Sequence, residues 1–405
     1  MWNGDWHGPL NLNDEKVELI SADLTNQISL PISKIDENSG RIFQGSILSG
    51  EGFKIENEFA KELLAKNSKH SDVIFPFVVG DTINSDPNCL PSNHAICFWD
   101  WTKEKAAELH DVFSICESEV KAERQTLKES GEFKFRSPLP ERWWQYGEKR
   151  PALFHAIGMG HLFSSHPKDW DKTKSTPKKV LGISTGTTKY PAFTFLPIGH
   201  IYSNTLCILA DDRLEIFAAL SSDIHAIWAW KQRTTKQNNM ESMRYAHGLI
   251  FETFPFPDNF LQEGDENLKN LGNSFFTERQ DYMVSENIGL TEFYNRFHNP
   301  QEGSEKLIKL RQFQTSINLT TVELYGWDHI NLECGFHKVG YLPEDRNTRY
   351  TISEASRVTL LNELSKLNQI KATNNEKNCK ITPRNKKKIT APSVLDLFNT
   401  KTSDV

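Results

Sequence analysis

Two carboxylates and a lysine are residue types that could support metal chemistry. Asp111 and the segment Glu119-Val120-Lys121 follow the residue order with which some nucleases hold Mg²⁺. Both fall in a segment with helical apolar spacing, where such charges ordinarily form the solvent-exposed face. We interpret them as a charged helix surface and keep a metal-dependent hydrolase as the less favoured alternative.

Cysteine and histidine residues offer a second candidate chemistry, a zinc site. Cys89, His94 and Cys97 have suitable side chains, but the spacing is irregular and no fourth ligand is evident. The pair Cys334 and His337 is a weaker candidate. We therefore predict no metal site and expect these residues to be isolated surface or core positions.

Three residues have the types of a hydrolase triad. Ser221, Asp223 and His225 lie within five positions on one predicted helix, too close to form a proton relay among themselves. No Gly-x-Ser-x-Gly turn accompanies them. We expect His225 to pack in the helix or to contact a partner residue.

Methyl-transfer chemistry has a recognisable requirement in sequence. An enzyme that uses S-adenosylmethionine needs a strand that ends in a glycine-rich turn, and amino methylation also needs an Asx-Pro-Pro-aromatic loop. The sequence contains no Pro-Pro dipeptide, and neither Gly50/Gly52 nor Gly158/Gly160 follows a convincing strand. We predict that the methyltransferase machinery is absent from this sequence and that no catalytic residue lies in it.

Composition indicates an ordinary globular protein with an uneven charge distribution. Apolar residues make up 38% and charged residues 25%, and the net charge is −6. Nothing approaches the ~20 continuous apolar residues of a membrane span, and the first residues lack the features of a signal peptide. Six scattered cysteines indicate reduced thiols. We therefore expect a cytoplasmic protein without a membrane partner.

The elements that must position any site follow from apolar periodicity. Strands are predicted over about 73–80, 95–98, 180–184, 192–195 and 201–209. Helices are predicted over about 56–66, 102–130 (with Thr102 as the N-cap), 214–231, 261–286, 304–325 and 353–367.

These elements predict an α+β fold in four parts. Residues 1–137 form an N-terminal connector region with a long helix, 138–257 a mixed α/β unit, and 258–370 a mainly helical domain. Residues 371–405 are predicted to be a flexible basic tail that contains Lys386-Lys387-Lys388.

The order of several motifs along residues 40–370 resembles one protein family. The motifs are Phe43-Gln44-Gly45-Ser46 with Gly50-x-Gly52-Phe53, Val73-Ile74-x-Pro76-x-x-x-Gly80, Trp143-Trp144-Gln145-Tyr146-Gly147, Leu220-x-Ser222-x-x-His225-x-x-Trp228, Phe254-Pro255-Phe256-Pro257, and Val322-Glu323-Leu324-Tyr325-Gly326-Trp327. Together they resemble the post-catalytic region of MmeI-type (Type IIL) restriction-modification enzymes and the related BREX and DISARM adenine-specific DNA methyltransferases. The family's nuclease-like and methyltransferase segments have no counterpart among these motifs.

The resemblance implies that residues 138–257 are a target-recognition domain that reads bases in the major groove of double-stranded DNA. Methylation of adenine N6 would then need a separate methyltransferase chain that binds S-adenosylmethionine; no cofactor is expected in this sequence. In that reading the chain belongs to a restriction-modification system for phage defence. A truncated, non-functional fragment is the alternative within the same family.

A lysine-rich window over 171–200 lies inside the implied recognition domain and supplies charge that attracts phosphates. We predict four phosphate contacts, Lys178, Lys179, Lys231 and Arg233. Four base-edge contacts are predicted in a turn between two strands, Thr187, Thr188, Lys189 and Tyr190. By contrast, we expect Trp143, Trp144 and Trp228 to be core residues and not stacking surfaces for bases.

Overall fold

The computed structural model of the chain describes residues 10–12, 15–17, 31–166, 175–186, 189–234 and 242–379. The strands in chain order are β1 Leu10–Leu12, β2 Glu15–Val17, β3 Ile42–Gln44, β4 Lys54–Glu56, β5 Ile74–Val78, β6 Asn93–Ile96, β7 Lys179–Ser184, β8 Thr194–Pro197, β9 Ile201–Tyr202, β10 Leu206–Leu209, β11 Gly335–Lys338 and β12 Thr348–Thr351. The α-helices are α1 Asn57–Lys66, α2 Gly80–Ser85, α3 Lys103–Ala107, α4 His110–Cys116, α5 Ala122–Arg124, α6 Pro151–Ala156, α7 Leu214–Ser221, α8 Asp223–Gln232, α9 Phe260–Glu263, α10 Glu266–Glu286, α11 Leu290–Phe297, α12 Glu305–Leu324 and α13 Glu354–Cys379. The predicted α+β class is confirmed.

An antiparallel four-stranded sheet, in the order β3-β10-β7-β8, forms the centre of the structure. Along β7 the side chains alternate between two hydrophobic cores, with Leu181 and Ile183 in one core and Val180 in the other. This alternation follows from the two-residue period of a strand. Both faces of the central sheet are therefore buried.

A second four-stranded sheet, in the order β4-β6-β5-β9, adjoins the first. The pair β5–β9 is parallel and the other two pairs are antiparallel. Gly45 lies where the two sheets meet, because a Cβ atom at this position would be 2.2 Å from the Ser203 carbonyl oxygen. The next residue, Ser46, donates its backbone N–H to the Tyr202 oxygen at 2.7 Å. The Phe-Gln-Gly-Ser motif is thus a junction between sheets.

The C-terminal helices cover one face of the central sheet. Helix α10 crosses α7 closely, since a Cβ atom on Gly272 would lie 2.4 Å from the Leu214 carbonyl oxygen. The buried Arg279 on α10 donates to the Phe193 oxygen at 2.9 Å and to the Tyr294 hydroxyl at 3.2 Å. The Arg279 side chain therefore links α10 both to α11 and to the residue that precedes β8.

Three helices predicted as continuous are interrupted. The predicted helix over 261–286 is divided at Gly264 (φ 69°) into α9 and α10. The predicted helix over 102–130 begins at its predicted cap, because the Thr102 hydroxyl accepts from the Lys105 N–H at 3.3 Å. It then breaks at Leu109, whose ψ is 61°, and ends at Arg124 after a π-helical turn. The predicted helix over 214–231 breaks at Ser222, which has extended backbone angles and caps α8. A serine hydroxyl that bonds to backbone N–H groups competes with the continuing helix.

The predicted domain limits do not coincide with the limits of the cores. Strand β3, which comes before residue 138, pairs with β10, and strand β9, which comes after it, pairs with β5. Helix α13 continues to Cys379, beyond the predicted start of a flexible tail at residue 371. Residues 1–137 and 138–257 thus share both sheets.

In the described part of the chain, no helix combines the length and apolar character that crossing a membrane requires.

Candidate nucleic-acid interface

The loop that joins β7 to β8 carries the four predicted base-edge residues. Thr187 and Thr188 lie outside the described residues. Lys189 is half-buried, and Tyr190 is only 6% exposed. The Tyr190 ring stacks on Tyr294, and its hydroxyl donates to Asn295 Oδ1 at 3.0 Å. Burial raises the pKa of Tyr190.

This packing makes Tyr190 an anchor for the loop. The His298 ring, just beyond the end of α11, also stacks on it at 5.2 Å, and the Arg349 guanidinium lies 4.9 Å from its ring centroid. A ring enclosed in this way presents little surface to a base edge. Tyr190 is therefore better placed to fix the neighbouring Lys189 than to contact a base itself.

Lys178 and Lys179 lie at the opposite end of β7 from the loop. Six residues of strand separate the two ends by about 20 Å. The Lys179 ammonium sits 3.5 Å from the Phe195 ring centroid, and burial lowers its pKa. Lys178 is exposed in a groove whose wall includes Asp212, Glu215, Glu263, Asp265 and Glu266. The carboxylates of this groove offset its positive charge, so the position is unfavourable for a phosphate contact.

The other two predicted phosphate contacts lie at the C-terminal end of α8. Lys231 is exposed and Arg233 is half-buried. The Arg233 guanidinium donates to the Trp230 carbonyl oxygen at 2.6 Å and covers the Trp230 ring. Burial lowers the pKa of Arg233. Lys231 is therefore the more exposed of the two cations at this helix end, whereas Arg233 packs against Trp230.

A cavity lies between the loop that joins β7 to β8, α8 and the C-terminal helices. We refer to the loop as the recognition loop, after its predicted role, and to the cavity as the α8 cavity. The cavity has a volume of about 50 Å³, which is space for roughly three to five water molecules. Its lining comprises Lys189, Tyr190, Pro191, Ser221, Asp223, Ala226, Trp230, Tyr294, Phe297, His298, Gln314, Tyr341, Arg349 and Thr351. The fold thus brings Lys189 and the inner face of α8 to one cavity and leaves Lys178 and Lys179 outside it.

The cavity lining contains few ionisable side chains, and burial favours the neutral form of two of them, Asp223 and His298. Burial raises the pKa of Asp223 to about 6, although Asn318 donates to its carboxylate at 2.6 Å. Burial also holds the pKa of His298 well below its usual range. The Tyr350 backbone N–H donates to His298 Nδ1 at 3.2 Å, so the neutral ring carries its proton on Nε2. Lys189 and Arg349 are the cationic members of the lining.

The remaining sequence candidates have ordinary structural contacts. The Asp111 carboxylate pairs with Lys66 at 2.9 Å, and His94 Nδ1 is 2.8 Å from Asn57 Oδ1. His225 is fully buried, with Nδ1 2.9 Å from the Leu220 oxygen and Nε2 3.1 Å from the Tyr245 hydroxyl, and burial lowers its pKa to about 3. Within the described ranges, no cluster of three or more His, Cys, Asp or Glu side chains has a geometry that could hold a metal ion.

The tryptophans of the sequence motifs are packed as expected. Trp143 and Trp228 are 2% and 0% exposed, and the Trp228 indole donates to the Ile250 oxygen at 3.2 Å. Trp144 is half-buried and donates to the Trp101 oxygen at 2.9 Å. Trp143 and Trp228 are therefore core residues, as predicted, whereas Trp144 packs against the core and is partly exposed.

Sequence reasoning did not identify Arg349 and His298 as site residues. They are more than a hundred positions from Lys189 in the chain, and no local motif marks them. Asp223 had a weak signal, because its position beside the Ser222 cap and His225 drew attention to it. Only the packing of β12 and α11 against the recognition loop joins these residues.

Comparison with known proteins identifies the recognition segment. Residues 156–258 match the family model described as "MmeI, target recognition domain". The resemblance noted in the sequence is therefore confirmed for the segment that contains β7–β10, α7 and α8. A comparison with proteins of curated function gives no match.

A solved structure extends the similarity in fold beyond this segment. The Type IIL restriction-modification enzyme MmeI, solved in complex with DNA, is similar to 89% of this chain with 15% sequence identity and a TM-score of 0.55. The match covers 39% of that enzyme's chain, so the present chain spans about two fifths of its length. Most of this chain thus shares its fold with part of that enzyme.

Proposed function

We propose that this polypeptide is the sequence-recognition module of an adenine-N6 DNA methyltransferase in a restriction-modification system. The observation that carries the proposal is the match of residues 156–258 to the MmeI target recognition domain. The fold similarity to MmeI, which was solved with DNA, supports a duplex as the ligand. The chain would bind double-stranded DNA and read its sequence.

The structure supports one part of the matched segment as the DNA-facing surface. Lys189 is held at a fixed place by the anchored Tyr190, and Lys231 is exposed at the end of the adjacent α8. Lysines held on a rigid scaffold position a phosphate backbone without reading its sequence. We therefore propose Lys189, which the sequence analysis predicted as a base-edge contact, as a phosphate contact instead. Thr187 and Thr188, next to Lys189 in the chain, remain our proposed base-edge contacts.

We further propose that a separate methyltransferase chain supplies the catalytic domain and binds S-adenosylmethionine. The basis is the resemblance of the motifs to the post-catalytic region of MmeI-type enzymes, together with a structural match that covers 39% of the MmeI chain. The assembly would transfer the methyl group to adenine N6 and act in phage defence, as BREX-like systems do. A cytoplasmic location belongs to the same proposal.

Binding to random duplex DNA at 50 mM and 200 mM salt, measured by fluorescence anisotropy, tests the DNA-binding part. We expect binding that weakens steeply with salt, because each phosphate contact releases counterions. Lys189→Ala should lower the magnitude of the salt slope by about one. The matched control is Lys61→Ala on α1, an exposed lysine paired with Glu58, which should leave the slope unchanged.

Selection from a random duplex pool, with and without the methyltransferase chain, tests recognition and methyl transfer. A recognition module predicts enrichment of one sequence and methylation of adenine within it when the catalytic chain and S-adenosylmethionine are present. A non-functional fragment would fold but enrich no sequence in either case. Failure to bind any duplex, alone or with the partner, would remove DNA recognition as the function.

A further inference from the structure

The α8 cavity contains a buried arginine whose charge is not neutralised. Arg349 is 9% exposed, and its Nη2 atom has no hydrogen-bond partner. Its Nη1 atom makes a long contact of 3.5 Å with the carbonyl oxygen of the adjacent Thr348. Among the described residues, no carboxylate forms an ion pair with Arg349. A buried charge without hydrogen-bond partners lowers the stability of the folded state, unless an anion or water supplies the missing bonds.

Two other buried arginines of the same protein are satisfied by main-chain acceptors. Arg124 is fully buried and donates to the carbonyl oxygens of five residues, Leu48, Ser49, Arg142, Trp143 and Gln145. Arg311, 6% exposed, donates to those of Arg296, Phe297, Asn299 and Glu302. Arg349 differs from both because it packs on the Tyr190 ring and its Nη2 atom makes no hydrogen bond to a described residue.

The rest of the cavity lining is suited to an anion. Ser221 Oγ is buried without a hydrogen-bond partner, and Lys189 supplies a second positive charge. The Asp223 carboxylate, which would oppose an anion, is already engaged by Asn318. A volume that holds three to five water molecules is sufficient for one tetrahedral oxyanion.

We propose that the α8 cavity binds one oxyanion of the size of a phosphate, and that a phosphate of the DNA backbone is this oxyanion in the DNA-bound form. The second part rests on the proposed function, and the first part does not. Binding a backbone phosphate here would fix the DNA relative to both the recognition loop and the C-terminal helices, because residues of both form the site. Free inorganic phosphate is the other source of the same chemistry.

Thermal unfolding of the full chain in millimolar phosphate tests the site itself. A ligand that binds the folded state alone raises Tm with its concentration. Matching the ionic strength with chloride and comparing variants removes the general effect of phosphate as a salt. We expect a concentration-dependent rise for the wild type and at least about tenfold weaker binding for Arg349→Gln, since it removes a charge-assisted hydrogen bond. Arg213→Gln is the matched control, because Arg213 pairs with Asp211 and lines the acidic groove that contains Lys178, not the α8 cavity, and it should respond like the wild type.

Ser221→Ala keeps the test valid if Arg349→Gln does not fold. Removing a hydroxyl that has no partner in the structure should not destabilise the protein but should weaken phosphate binding. Equal responses of the wild type, Arg349→Gln and Ser221→Ala, or no response of the wild type, would overturn the oxyanion site.

The salt dependence of duplex binding by the same variants identifies the source of the oxyanion. Loss of about one unit of salt slope in Arg349→Gln and Ser221→Ala supports a DNA phosphate. An unchanged slope together with lost phosphate protection overturns the DNA part and leaves a site for free phosphate. If the wild type binds no duplex, the proposed function fails, while the thermal measurement still decides whether the oxyanion site exists.

Discussion

Replacing Tyr190 by phenylalanine separates a structural role of this side chain from a role in contacting bases. The substitution removes the hydroxyl and keeps the ring. The stacking on Tyr294 and His298 is therefore retained. What is lost is the hydrogen bond to Asn295 Oδ1 at 3.0 Å.

The expected magnitudes differ between the two roles. Loss of one hydrogen bond at a site that is 6% exposed should lower the free energy of unfolding by about 1–1.5 kcal/mol. The affinity for DNA should change less than about twofold, since the hydroxyl is engaged inside the protein. A hydroxyl that contacted a base edge would instead contribute roughly 1–3 kcal/mol, or about 5- to 150-fold in affinity.

Urea unfolding and fluorescence anisotropy measure the two quantities on the same preparation. Tyr202→Phe is the matched control, because Tyr202 is also buried and donates one hydrogen bond, to the Pro197 oxygen. Both variants should be destabilised by similar amounts and bind DNA normally. A tenfold loss of affinity in Tyr190→Phe without loss of stability would refute the anchoring role and restore Tyr190 as a base contact.

Three further predictions concern stability, pH and charge. Arg124→Gln should lower the free energy of unfolding by about 3–5 kcal/mol in urea unfolding, because it disrupts a buried charged network with five acceptors; a loss below about 1 kcal/mol would contradict this. The folded-state pKa of Asp223 is raised from 3.8 to about 6, so its contribution to stability is present below pH 4 and is lost as the pH rises through 6. The wild type should lose about 3 kcal/mol over this interval relative to Asp223→Asn, and parallel stability profiles of the two proteins would contradict the burial argument. Lys178→Ala should change DNA affinity less than about twofold, because the groove around Lys178 is acidic. Lys189→Ala should weaken DNA binding in the same anisotropy assay. The reverse order of the two effects would place the DNA at the other end of β7.

Local structure was predictable where its cause lies within a few residues. Strands β5 to β8, α1 and the helix cap at Thr102 follow from apolar spacing and from a side chain that bonds to the backbone three positions on. The single strand predicted over 201–209 was wrong, because β9 and β10 belong to different sheets. The break at Ser222 was missed, although its cause is also local, because the apolar stripe on both sides continues through it. The continuous apolar pattern therefore predicted one helix, although Ser222 caps the second of two helices.

The sequence by itself determined the fold class, the recognition segment and the tryptophans of the core. These depend on residue type and on short-range order, which the motifs preserve. It did not determine which lysines share a surface, because Lys178 and Lys189 are close in the chain but lie at opposite ends of one strand.

Only the tertiary structure decided the composition of the α8 cavity. Residues from the recognition loop, α8, α11, α12 and β12 meet there, and contacts such as that between Asp223 and Asn318 join positions 95 residues apart. Burial then sets their chemistry: it raises the pKa of Asp223, keeps His298 neutral and leaves the Arg349 guanidinium without a carboxylate partner among the described residues. The sequence supplies these side chains, but their desolvation and their neighbours exist only after the two regions have packed together.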